Sequence, residues 1–149
     1  MNDQEEWKAL RSMTAADVMT AAPRTCSTYS TVLEAVMIFR DNDCGAVPIL
    51  DEGKPVAILT HRDVALAVSE IPNLVNQPVS AIMSPGIVAV APQDHLEEVC
   101  AVLSKECVRR MLVVDSAGLV KGIIGWTDIA AVLSDRMMGR VVKEVVAAS

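Results

Sequence analysis

The sequence predicts a mixed α/β (α+β) fold in which two tandem β-α-β-β-α repeats are related by pseudo-two-fold symmetry, with short helical flanks. The first observation behind this is that the segment Ala16–Thr20 returns as Ser80–Ser84. The second is that the apolar positions after each segment stay in register. The third is that the apolar period changes in the same order in both copies. Tandem copies of one supersecondary unit imply internal symmetry and two related clefts.

The two copies align at an offset of 64 residues, which places Val18 on Ile82. One extra residue in the loop 115–118 raises the offset to 65, so that Asp63 then matches Asp128. Folds tolerate insertions in such turns. The alignment therefore predicts the same five elements in each copy.

The apolar pattern of the second copy justifies its first two elements. Ile87–Val90 is a short apolar run bounded by proline and glycine, which predicts a buried strand. Apolar residues then recur at helical spacing from Leu96 to Cys107, with Asp94 as the expected N-cap.

A hairpin and a second helix complete the copy. Met111–Val114 and Val120–Ile124 flank a glycine-containing turn, and a helix begins near Asp128 and runs through Leu133. The first copy is expected to repeat these elements at Thr25–Cys26, Val32–Phe39, Val47–Leu50, Val56–Leu59 and Val64–Val68.

Helical flanks lie outside the repeats. Gln4–Arg11 and Ser134–Ala148 predict helices, the second amphipathic and interrupted by Gly139. Its apolar side is covered either by packing within the chain or by a partner subunit. The predicted boundaries are an N-terminal flank at 1–15, repeat 1 at 16–69, a linker at 70–78, repeat 2 at 79–133 and a C-terminal helix at 134–149.

Composition and charge narrow the function classes. The net charge is -6 and the isoelectric point is near 4.8, so the chain lacks the basic face that a nucleic-acid binder needs. No apolar run reaches the roughly 20 residues of a membrane span. The acidic N-terminus lacks the features of a signal peptide, and a cytoplasmic protein without membrane contact is expected.

The cysteines and histidines do not suggest catalysis or a metal site. Cys26, Cys44, Cys100 and Cys107 form no C-x-x-C pair, and the last two fall on the apolar stripe of a predicted helix. Small buried apolar side chains are the favoured interpretation. Two histidines far apart, His61 and His95, do not complete a zinc site, and we expect no enzyme activity and no catalytic cofactor.

Several segments resemble one family. The repeated opening at Ala16–Thr20, the strand Gly45–Ile49 and the ending Leu59–Asp63 are similar to a tandem pair of CBS domains, also called a Bateman module. The resemblance covers residues 16–133. Single pieces of the signature are weak, whereas their repetition in order is specific.

The first candidate site is the ending Thr60-His61-Arg62-Asp63. It places a hydroxyl at a strand end and a carboxylate at a helix start. A carboxylate can accept hydrogen bonds from both hydroxyls of a ribose, and the resemblance implies that this Thr-x-x-Asp pattern holds the sugar of an adenosine ligand. The alternative is that Asp63 is only an N-cap, worth about 1 kcal/mol.

The resemblance also implies groups for the rest of such a ligand. Arg109 and Arg110 would reach its phosphates, for which the arginine fork is well suited. Ile87, Val88 and Ala89 would give adenine apolar contact and backbone hydrogen bonds. Either arginine taken alone could equally be a solvated loop charge.

The second cleft is expected to be weaker. Its residues are Thr25, Ala46, Gly125 and Asp128. Glycine replaces the threonine at position 125, and the positions matching the two arginines, Gly45 and Ala46, carry no charge.

The resulting prediction is a stand-alone regulatory or sensor module. It would bind AMP, ADP, ATP or S-adenosylmethionine and act on a regulated partner protein by shifting a conformational population. The alternative is a ligand-free structural or oligomerisation module.

A homodimer is also expected. The helix Val32–Phe39 and its counterpart Leu96–Leu103 carry apolar residues around much of their circumference, so a second face needs a partner. The resemblance implies a flat disc with two-fold symmetry.

Overall fold

The computed structural model describes residues 2–148, within which seven α-helices and seven strands form a mixed α+β fold with two sheets, as predicted. The helices are α1 Asp3–Leu10, α2 Ala15–Val18, α3 Val32–Asn42, α4 His61–Val68, α5 Leu96–Glu106, α6 Trp126–Ala130 and α7 Asp135–Ala148. The strands are β1 Thr20–Ala21, β2 Cys26–Ser27, β3 Ala46–Asp51, β4 Lys54–Thr60, β5 Ala89–Val90, β6 Arg110–Val114 and β7 Val120–Gly125. Short 3₁₀ turns lie at Leu74–Asn76, within the predicted linker, and at Val79–Ala81.

The chain divides into two compact units, one of which combines residues from both ends of the sequence. The central unit is Pro23–Ile87, and the terminal unit combines the residues up to Ala22 with those from Val88 onward. The opening segment of the first repeat therefore packs with the second repeat. Its strand β1 pairs antiparallel with β7, placing Thr20 opposite Ile123.

The central unit has a three-stranded sheet in the order β2-β3-β4. Strand β3 is antiparallel to β4 through a two-residue turn in which Glu52 and Gly53 both have positive φ, the geometry that matches strand twist. Helix α3 buries Val32, Ala35 and Phe39 in this unit's core. The opposite side of α3 leaves apolar residues in solvent.

The terminal unit has a four-stranded sheet in the order β1-β7-β6-β5. Helix α5 buries Leu96, Val99, Cys100 and Leu103, and α7 packs against it. The buried residues on α7 are Met137, Val141 and Val145. Two alternatives were open for what covers the apolar side of the C-terminal helix. In the structure, this side packs within the chain. This packing also covers much of the apolar surplus expected on the counterpart helix α5.

Two local expectations for α5 are wrong. The N-cap is His95, whereas the Asp94 carboxylate accepts the N–H of Ala91 at 2.9 Å. The helix ends at Glu106, and Cys107 is its half-buried C-cap with a left-handed φ of 56°, so it does not continue the apolar stripe. Both differences arise because turn geometry, rather than apolar spacing, fixes the helix ends.

The C-terminal helix also differs from expectation, because α7 continues through Gly139 without a break. None of the described helices combines the length and apolar composition needed to cross a membrane.

Gly122 sets the approach of β1 to β7. A Cβ at this position would overlap the Met19 side chain, including its Cβ, which no rotation can move away. We therefore expect Gly122→Ala to lower the free energy of unfolding by about 1–3 kcal/mol, the usual cost of overpacking. Urea denaturation measures this effect.

Gly139→Ala is the matched control, because nothing lies within 4 Å of its Cβ position on α7. This change should raise stability by about 0.5–1 kcal/mol through helix propensity. Equal effects of the two substitutions would contradict the packing of Met19 on Gly122.

Candidate functional site

The Asp63 carboxylate caps the start of α4, where β4 runs into this helix. The Asp63 Oδ2 atom accepts the backbone N–H of Thr60 at 2.8 Å and its hydroxyl at 3.1 Å. Thr60 is the N-cap residue and Asp63 is the N3 residue, so the alternative interpretation of Asp63 as the N-cap has the wrong cap residue. Among the described residues, no side chain or backbone group donates to Asp63 Oδ1. The carboxylate is thus oriented by the protein, and its Oδ1 atom is available for a further hydrogen bond.

The residues between them point outward. His61 and Arg62 are exposed, and the His61 ring meets Phe39 edge-on at a centroid distance of 4.6 Å. The backbone N–H of His61 donates to Gly45 at 3.3 Å, and Ala46 lies opposite Thr60 in the sheet register. Thr25 is exposed just before β2 in the same unit. Apart from Phe39, these residues leave an open, polar surface at the start of α4.

Geometry alone does not mark this cap as a ligand site. Thr14 and Asp17 at the start of α2 form the same pair of hydrogen bonds, at 2.9 and 3.1 Å. The pattern Thr-x-x-Asp therefore also serves as a helix cap within this chain. The difference is position, because Thr60 ends a sheet strand of six paired residues whereas Thr14 follows a loop.

Asp128 has a different environment in the terminal unit. Its Oδ2 accepts the N–H of Gly125 at 2.8 Å, and its Oδ1 accepts the hydroxyl of Thr20 at 3.2 Å. Sequence reasoning missed Thr20, although it closes the repeated opening segment. No corresponding bond joins Ser84 to Asp63 within the described part of the chain. Both oxygens of Asp128 are therefore engaged by the protein, unlike those of Asp63.

The backbone conformation of Gly125 is close to that of Thr60, but glycine has no side-chain hydroxyl. Its φ and ψ are -120° and 176°, close to the -119° and 166° of Thr60. The atoms nearest to a Cβ built there are Arg110 Cγ and Asp128 Oδ2 at 3.8 Å and the Arg109 carbonyl oxygen at 3.9 Å. These are ordinary contact distances, so the site has room for a Cβ atom.

The two arginines lie at the start of β6, beside this second site. Arg110 opposes Gly125 in the sheet, and the Arg109 guanidinium lies over the Trp126 ring at 5.6 Å. Both are exposed, and neither forms an ion pair with a described carboxylate. Such a cation–π contact orients the guanidinium without neutralising it.

The predicted residues of the first cleft are divided between the units. Thr60 to Asp63 and Ile87 belong to the central unit, whereas Val88, Ala89, Arg109 and Arg110 belong to the terminal unit. In the terminal unit, the Val88 carbonyl accepts the N–H of Leu112 at 2.9 Å, so β5 runs beside β6.

The cysteines are partly as expected. Cys26 and Cys100 are buried, and burial raises the pKa of Cys26 and raises that of Cys100 to about 12. Cys44 and Cys107 are only half-buried. No group of three or more histidine, cysteine or acidic side chains within residues 2–148 is placed to hold a metal ion.

Comparison with known proteins supports one family throughout. The CBS domain model matches residues 15–70 and 79–135. The CBS domain-containing protein YhcV of Bacillus subtilis is 32% identical over 76% of this chain and 81% of its own length. Hypoxic response protein 1 of Mycobacterium tuberculosis is 29% identical over 89% of this chain and 93% of its own.

Solved structures show the same fold. A CBS domain protein of unknown function from Thermoplasma acidophilum matches with a TM-score of 0.74 and 26% identity, over 89% of this chain and 75% of its own. An enzyme relative, inosine-5'-monophosphate dehydrogenase of Nitrosopumilus maritimus, is 25% identical over 82% of this chain but only 25% of its own length. The chain therefore belongs to the CBS domain family and carries two CBS domains in tandem.

Proposed function

We propose that this CBS-domain pair is a regulatory module that binds an adenosine compound, of the AMP, ADP, ATP or S-adenosylmethionine class. Support comes from a CBS domain pair solved in complex with 5'-methylthioadenosine and S-adenosyl-L-methionine. That pair is 25% identical with a TM-score of 0.70, over 80% of this chain and 98% of its own.

The observation that carries the proposal is the oriented carboxylate of Asp63. Two hydrogen bonds from Thr60 fix Oδ2 at the end of β4, and Oδ1 remains available. A ribose offers two adjacent hydroxyls, and an ionised carboxylate accepts hydrogen bonds only. Asp63 is therefore matched to the sugar of a nucleoside.

Local positive charges near the candidate site could bind an anionic group on the ligand. The chain carries a net charge of -6, so an anion must be attracted by local cations. The exposed Arg62 next to Asp63 is one such cation, and Arg109 and Arg110 stay predicted phosphate ligands.

A non-catalytic role is consistent with the relatives. YhcV has little length beyond the shared region, whereas the dehydrogenase shares only a quarter of its length with this chain. The ligand would act by favouring one arrangement of the protein over another, and only that difference in affinity can be passed to a partner protein.

The alternative function is a ligand-free oligomerisation module. One observation favours it, because Thr14 and Asp17 reproduce the Thr60–Asp63 geometry as a helix cap. The same residues provide the control that separates the two functions.

Thermal shift with adenosine compounds tests the proposal. At a hundredfold excess over its dissociation constant, a ligand should stabilise the fold by about 2.7 kcal/mol and raise the melting temperature by several degrees. Asp63→Ala should remove most of the shift. Asp17→Ala removes an equivalent cap, and it should retain the shift.

No shift with any of AMP, ADP, ATP and S-adenosylmethionine would favour the ligand-free module. An equal loss in the Asp17 and Asp63 variants would show that the aspartates act only as caps.

The two halves should differ in affinity. Calorimetry should give about one tight site per chain, because both oxygens of Asp128 already accept hydrogen bonds and Gly125 lacks a hydroxyl. Asp128→Ala should therefore reduce binding less than Asp63→Ala. Gly125→Thr should strengthen the weaker site, since the backbone there already has the conformation of Thr60. Two equally tight sites in the unmodified chain would contradict this asymmetry.

We also propose that the module is a homodimer through α3. Leu33 and Met37 are 45% and 38% exposed on the side of α3 facing away from its core. Leu33→Glu with Met37→Glu should place two charges in this contact and give monomers by light scattering at micromolar concentration. Leu119→Glu is the control, since Leu119 is 45% exposed in the turn between β6 and β7. A monomeric unmodified protein would refute the dimer.

A further inference from the structure

Helix α1 is attached to the terminal unit by two apolar side chains and by acidic side chains. None of its residues is fully buried, although Trp7 and Leu10 lie against the core. The two carboxylate oxygens of Glu6 accept the N–H and the hydroxyl of Ser134, at 2.9 and 2.8 Å. The attachment of α1 therefore depends on polar contacts at one end of α7.

Arginines on α7 extend this contact. The Arg136 guanidinium lies 3.2 Å from Asp3 and 3.5 Å from Glu6, and Arg140 pairs with Asp3. Two carboxylates of α1 thus face two guanidinium groups on the first turns of α7. Exposed pairs of this kind are weak singly and sensitive to salt.

Glu6 supplies the hydrogen-bond acceptor at the start of α7 that an acidic N3 residue would otherwise provide. The Ser134 hydroxyl accepts the N–H of Met137 at 3.2 Å, so Ser134 caps α7. In a capping box the N3 side chain returns the bond by accepting the N–H of the cap residue. The N3 residue of α7 is Met137, which has no carboxylate, and Glu6 supplies the acceptor from 128 residues away.

Other described helices provide this group locally. In six of them the N3 carboxylate accepts the backbone N–H of the cap residue: Glu5, Asp17, Glu34, Asp63, Glu98 and Asp128. The start of α7 is therefore coupled to the docking of α1, whereas those helices cap themselves.

Helix α1 covers part of the outer face of α5. A cavity of about 230 Å³ is lined by Asp3 and Trp7 from α1, by Cys100, Ala101 and Ser104 from α5, and by residues of α7. Cys100 lines this cavity and is only 3% exposed. Displacement of α1 would open this face to solvent.

We propose that α1 is a latch, closed by Asp3 and Glu6 on the first turns of α7, whose release exposes the outer face of α5. The latch gives the module an input separate from ligand binding, because acid or salt weakens its contacts. The groups facing the two carboxylates are Arg136, Arg140 and Glu144 on α7, Glu97 on α5 and the cap residue Ser134.

The sign of the pH dependence follows from Glu6. The N–H and hydroxyl of Ser134, together with Arg136, hold the pKa of Glu6 below its ordinary value of 4.5 despite an opposing effect of burial. A depressed carboxyl pKa stabilises the closed state above the ordinary value. That stabilisation is lost as the pH falls through the lowered pKa, so acid opens the latch.

Alkylation of Cys100 at neutral pH, followed by mass spectrometry of the full chain, tests the latch. Glu6→Gln keeps the shape of the side chain but removes its charge, and it should speed modification of Cys100 by roughly tenfold. Glu106→Gln is the matched control, because Glu106 is an exposed carboxylate at the end of α5 with no described hydrogen bond or ion pair to α1 or α7. Cys26, buried in the central unit, reports global unfolding and should keep its rate.

A Cys100 rate equal in the Glu6 and Glu106 variants would overturn the proposal, as would a parallel rise at Cys26. A second readout is acrylamide quenching of Trp7 in a Trp126→Phe chain. Quenching should increase on acidification, and Glu6→Gln should remove most of that pH dependence. A quenching profile that Glu6→Gln leaves unchanged would also overturn it.

Discussion

The hydrogen bond from the cap residue's N–H to an acidic N3 side chain is the interaction on which the rest of this structure depends. An acidic side chain at the third helical position accepts the backbone N–H of the cap residue, and the helix start becomes fixed. In the central unit this bond holds Asp63 at the end of β4. In the terminal unit it holds Asp128 at the end of β7. The candidate ligand groups are therefore positioned by the same bonds that define the fold.

The capping aspartates of the two units differ in their other hydrogen bonds. Asp63 bonds only to Thr60 among the described residues, whereas Asp128 also holds the hydroxyl of Thr20 and so connects α6 to β1. One carboxylate is oriented and partly free, and the other is committed to structure. The sequence difference at Gly125 also makes the two units unlike. The threonine hydroxyl is absent in the unit where both oxygens of Asp128 already accept hydrogen bonds. Unequal sites are thus expected from how each unit completes its sheet and cap.

Local sequence patterns predicted the repeated α+β fold and the central parts of helices α3 and α5, because apolar spacing reports which face each element buries. The pairing of β1 with β7 was not predictable in this way, since a two-residue strand has no periodicity. Bonds between distant residues, Thr20 with Asp128 and Glu6 with Ser134, were also missed. They join positions whose local sequence carries no sign of the partner. For the site, the sequence pointed to Thr60 and Asp63 but not to the two hydrogen bonds that Thr60 donates to Asp63, which depend on the turn at the end of β4.

The central claim is that the Asp63 carboxylate receives a ribose. Amide chemical shifts during titration with adenosine compounds test it directly, because the Thr60 N–H donates to Asp63 and senses any change in that carboxylate. Saturable shifts at Thr60 and Asp63, with none at the equivalent Thr14 and Asp17, are the predicted result. Unchanged signals at Thr60 and Asp63, or equal shifts at both caps, would contradict the account.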